Sequence, residues 1–71
     1  MMHIILKNDD WIYSNPGLES TDIGLQRAGE ITDITSGITD WVFEVIDTQL
    51  FFLACVKYGI KFKEIDHNDA H

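Results

Sequence analysis

The amino-acid sequence predicts an α+β fold in which a small antiparallel sheet is packed by one long helix. Three observations point there. Apolar residues in the stretch 40–58, DWVFEVIDTQLFFLACVKY, recur at steps of three and four; short β-branched and aromatic runs stand near the N-terminus; and an apolar–charged alternation follows a glycine near the C-terminus. In chain order these give a ββαβ-like arrangement of N-terminal hairpin, variable middle segment, helix and closing strand. The expected organisation is one domain over 1–65 followed by a polar tail over 66–71.

The hairpin is predicted from His3-Ile4-Ile5-Leu6-Lys7 and Trp11-Ile12-Tyr13, two runs of high strand propensity. Asn8-Asp9-Asp10 between them reads as a turn, since these side chains bond their own backbone. Asn15-Pro16-Gly17 then stops the second strand. From 18 to 36 two readings stay open. Ser20, Thr21 and Asp22 are suited to cap a short helix running to Arg27, but Gly24 and Gly29 would each cost about 1 kcal/mol inside one, and an ordered loop is the alternative. Leu18, Ile23 and Leu25 are its anchors. The echo Ile31-Thr32-Asp33, Ile34-Thr35-Ser36, Ile38-Thr39-Asp40 reads as a turn-rich approach broken by Gly37.

The central helix is predicted over Asp40–Tyr58 because Val42, Val45, Ile46, Leu50, Leu53 and Val56 form one stripe at about 100° per residue. Thr39 or Asp40 would cap its start. Lys57 suits the negative end of the dipole, and Gly59 is placed to take the left-handed conformation that ends a helix. Ile60 and Phe62 alternate with Lys61 and Lys63 in a final strand. The expected core is Ile4, Leu6, Trp11, Tyr13, Val42, Val45, Ile46, Leu50, Leu53, Val56, Ile60 and Phe62.

The other side of the predicted helix carries Asp40, Glu44 and Asp47, then Phe51, Ala54, Cys55 and Tyr58. Apolar residues on all sides of its second half mean either that this half is sandwiched in the domain or that Phe51 and Tyr58 face a partner. On the second reading, Asp40, Glu44, Asp47, Phe51 and Tyr58 form a partner-binding face. On the first, Phe51 is core.

Composition bounds the function. The 71 residues carry twelve acids and five Lys or Arg, for a net charge of −7. From Asn8 to Val56 nine acids stand against one base, Arg27. That balance argues against direct nucleic-acid binding, which uses Lys and Arg to displace counterions from phosphate. An acidic surface instead suits a basic protein partner. One cysteine, Cys55, excludes an internal disulfide and makes cytoplasm the default compartment. Ile4-Ile5-Leu6 is too short for a signal-peptide core, and no segment reaches the ~20 apolar residues that span a bilayer.

No phosphate loop, cysteine pair or zinc signature is present, so no catalytic residue, cofactor or metal is assigned. Asp66, His67, Asp69 and His71 have the right chemistry for a metal but sit on a polar terminus that cannot preorganise them. The leading expectation is a small non-catalytic protein-binding module. It would act as an inhibitor or regulator of a basic, nucleic-acid-handling protein, as phage-type inhibitors do. The alternative is an assembly subunit that homodimerises through the apolar end of its helix.

Overall fold

In the computed structural model, which describes residues 2–65, the element order is β1 (His3–Leu6), α1 (Asp10–Ser14), a 3-10 turn (Ser20–Ile23), β2 (Leu25–Thr32), β3 (Thr39–Val45), α2 (Thr48–Tyr58) and β4 (Phe62–Ile65). The strands form one four-stranded sheet of order β2-β3-β1-β4, with every neighbouring pair antiparallel. The α+β class holds, while the ββαβ order does not. The polar tail assigned to 66–71 lies outside the described residues.

The main departure is in the segment expected to be one helix. Thr39–Val45, TDWVFEV, is strand β3, and its aromatic and β-branched composition fits the strand better than the helix. The helix starts only at Thr48. Asp47 is its cap, with an extended backbone and a side-chain carboxylate that accepts from the Leu50 N–H at 3.0 Å. The chain turns from strand to helix against Gly24. The Ile46 and Asp47 N–H groups both donate to the Gly24 carbonyl, at 2.9 and 3.2 Å. The far end is as the sequence predicts: Gly59 has φ 67°, and its N–H donates to Cys55 O.

No N-terminal hairpin forms. β1 pairs with β3 on one side (Ile4 with Phe43) and β4 on the other (Ile4 with Glu64), so neither edge of β1 is left for residues 11–13. Those residues coil into α1 instead. Trp11 is buried and its indole N–H donates to Asn8 O at 2.9 Å, while Tyr13, expected in the core, is exposed. Asn8 also ties this corner to the connection between α2 and β4. Its amide donates to Gly59 O at 3.3 Å and its side-chain oxygen accepts from Lys61 N at 2.8 Å.

The hairpin of the fold lies in the middle of the chain. β2 and β3 pair from Leu25–Val45 to Thr32–Thr39, with a bulge between Arg27 and Gly29. The segment 33–38 closes it, with the Asp33 carboxylate accepting from Thr35 N and Ser36 N. Residues Ser20–Ile23 are held by a reciprocal capping box between Glu19 and Asp22 and stop at Gly24. Ile23 and Leu25 are buried, as expected of anchors.

Both faces of the sheet follow from strand alternation. Ile4, Leu25 and Val45 join Trp11, Ile23, Phe51, Ala54 and Ile60 in the core cluster, so α2 lies on that face. Val42 points the other way, between Ile5 and Gly29 of the adjoining strands, and is fully shielded there. Ile46, Leu50, Leu53 and Val56, placed in the core by the sequence stripe, are exposed.

Gly24 and Gly59 allow a clean comparison, since both have positive φ, 75° and 67°. A Cβ on Gly59 would meet nothing within 4 Å, whereas one on Gly24 would sit 2.5 Å from Asp47 O and 3.2 Å from Phe51 N. Gly59→Ala should therefore cost only the backbone penalty of about 1 kcal/mol. Gly24→Ala should cost at least about 2 kcal/mol more, because backbone must move. Urea denaturation of the two variants measures the difference.

Candidate functional site

The surface that stands out is built by the rotation of α2. Phe51, Ala54 and Tyr58 lie at i, i+3 and i+7, and this row turns to the sheet: Phe51 is 0% exposed, Ala54 is buried and Tyr58 packs on the cluster. Phe51 meets Phe62 edge-on at 5.0 Å between ring centroids, and Phe52 lies 6.4 Å from the same ring. The opposite side is left to solvent. Leu50 (39%), Phe52 (45%), Leu53 (62%) and Val56 (86%) occupy an arc of roughly 160° centred away from Phe51, interrupted by Gln49 and Lys57. A surface helix ordinarily turns charged residues to that side. Here the outward arc is mostly apolar.

The five residues expected to form one binding face are not brought together. Asp40 and Glu44 are half-buried on β3 and alternate with Trp41, Phe43 and Val45, so they point to the sheet face away from α2. Asp47 caps α2. Phe51 is core, which removes it as an aromatic anchor, and Tyr58 is half-buried on the inner side of the helix. The contiguous face required a helix from residue 40, and a strand to residue 45 breaks its phase. The exposed set that the sequence reading missed is Leu50, Phe52, Leu53 and Val56. The cue was Asp47-Thr48 as a helix start, after which Phe51, Ala54 and Tyr58 are the better-packed row.

A second feature is an open groove of about 570 Å3 between α1 and the sheet, walled by Leu6, Ile12, Tyr13, Trp41 and Phe43 with Lys7, Asp9, Thr39 and Asp40 at its rim. One face of Trp41 is covered by the Arg27 guanidinium at 3.3 Å, which is also paired with Glu30 at 2.8 Å. The groove lining contains no Ser, Cys or His and sets apolar side chains beside Lys7, Asp9, Tyr13, Thr39 and Asp40. Cys55 is half-buried, and burial raises its thiol above the ordinary value, which keeps it protonated at neutral pH. Among the described residues no group of three or more His, Cys, Asp or Glu is placed to hold a metal; Asp66, His67, Asp69 and His71 lie outside them. No helix among the described residues is long and apolar enough to cross a membrane. No family model matches the chain, and neither the curated proteins nor the solved structures give a match.

The two sides of α2 should respond oppositely to truncation. Phe51→Ala removes a fully buried ring and should lower unfolding stability by about 3–5 kcal/mol. Leu53→Ala, measured at low protein concentration, should change it by less than about 1 kcal/mol. Even Leu53→Asp should leave a cooperatively folded protein, where the stripe Val42-Val45-Ile46-Leu50-Leu53-Val56 requires it to unfold. Denaturant melts followed by far-UV circular dichroism check all three.

Proposed function

We propose that this chain works by binding protein rather than by catalysis, as a small acidic adaptor or regulator whose contact surface is the outward face of α2. The observation that carries this reading is the exposed row Leu50, Phe52, Leu53 and Val56. Side-chain areas of roughly 150–200 Å2 make that row a patch on the order of 400 Å2, as large as the apolar patches that mark interaction sites. Leaving it in water forgoes burial worth about 25 cal/mol per Å2, a cost a covering partner would remove.

Charge distribution favours a second reading, in which the acids also steer the module to a basic, nucleic-acid-handling protein as an inhibitor or regulator. Arg27, the one base between residues 8 and 56, is paired with Glu30, so that long segment presents carboxylates to an approaching partner. The two contributions separate by experiment. In capture from the source cell, Leu53→Asp with Val56→Asp should lose a partner held by the α2 face while the fold persists. Loss of capture on raising salt from about 0.05 to 0.5 M would instead mark charge as the main attraction. A partner retained by the double variant at both salt levels would contradict the α2 reading.

A further inference from the structure

We infer that the outward face of α2 is a self-association surface, and that its occupant is α2 of a second copy lying antiparallel across a two-fold axis near Leu53. The inference rests on the reading of this face as a protein contact and names its partner. Three observations select a second copy.

The first is the even spacing of three of the row's four members, with Phe52 standing outside it. Leu50 and Val56 stand three residues to either side of Leu53, so reversal about Leu53 sets Leu50 of one copy against Val56 of the other and Leu53 against its own mate. The second is charge. The acid at the start of the helix, Asp47, and the base in its last turn, Lys57, are of opposite sign, and antiparallel pairing sets the acidic end of one helix at the level of the basic end of the other. Parallel pairing would stack like on like. The helix dipoles are also opposed in the antiparallel arrangement.

The third is area. A patch on the order of 400 Å2 per copy, with Gln49 and Lys57 as a polar rim, gives a pair burying about 1,000 Å2 in total, the lower end of what specific association needs. An interface at that lower end suits a weak, reversible dimer, with a dissociation constant expected on the order of 10–100 µM. Each copy carries a net charge of −7, so long-range repulsion opposes pairing and added salt should hold the dimer constant or tighten it.

Sedimentation equilibrium of the 71-residue chain, from a few micromolar to about 1 mM, tests the proposal. Wild type should shift from monomer to dimer, and Leu53→Asp should stay monomeric throughout with an unchanged circular dichroism spectrum. Lys57→Glu should weaken the dimer by roughly three- to ten-fold at low salt and by less at high salt, since it sets two acids side by side. Wild type that remains monomeric to 1 mM overturns the inference. In that case, loss of lysate capture by Leu53→Asp with Val56→Asp keeps α2 as a contact for a different protein, and retained capture ends both readings. A dimer that survives Leu53→Asp also overturns it, because the copies then meet through another surface such as an open sheet edge.

Discussion

The close approach of Gly24 to the first turn of α2 fixes where the helix begins, and its starting point decides which of its two apolar sides is buried. The Gly24 carbonyl accepts from Ile46 N and Asp47 N, and the space where a Cβ would be is occupied by Asp47 O. With Asp47 held there as cap, the first inward position falls at Phe51. A start one residue earlier or later would rotate the helix by about 100° and offer Leu50 or Phe52 to the sheet instead. Phe51 then meets Phe62 of the edge strand, and Ala54, small enough to let the helix approach closely, completes the contact. The core is therefore registered by one backbone junction between the 3-10 turn and the helix.

That junction also explains why apolar surface is left over. An eleven-residue helix can cover one face of a four-stranded sheet with a single row of side chains, and this helix carries two such rows. In a domain of this size, where burial exceeds ordering entropy by only a small margin, an unused row of Leu, Phe and Val is retained at a cost unless it contributes to association. Small size and an uncovered row both support the proposed binding through α2. Apart from Lys57, the charges lie around that face: Lys7 N donates to Lys61 O beyond the end of α2, and Asp40 and Glu44 lie across the sheet.

Much of the fold was legible where the signal was local. Gly59 as helix terminator, β1, the buried Ile23 and Leu25, and a closing strand containing Phe62 all follow from residue chemistry that needs no distant partner. What failed depended on long-range pairing. Trp11-Ile12-Tyr13 has strand propensity, yet both edges of β1 are taken by β3 and β4, so it coils into α1. In the same way, Val42 and Val45 fit the helical stripe by spacing alone, but residues 39–45 complete a ladder with β2 that no helix could replace. The candidate site inherited that error. Its acids and aromatics were read as one face, and moving the helix start to Thr48 sends Asp40 and Glu44 to the open sheet face and Phe51 to the core. Only the statement that α2 is apolar on both sides carried over intact.

The central claim is the rotation of α2, with Phe51 inward and Leu53 and Val56 outward. Nuclear Overhauser contacts in dilute isotopically labelled protein read it directly. Cross-peaks are expected from the Phe51 ring to the Phe62 ring and to core methyls such as those of Ile4, with none from the Leu53 or Val56 methyls to Ile4, Leu25 or Val45. Cross-peaks joining Leu53 or Val56 to that core, with Phe51 lacking them, would contradict it.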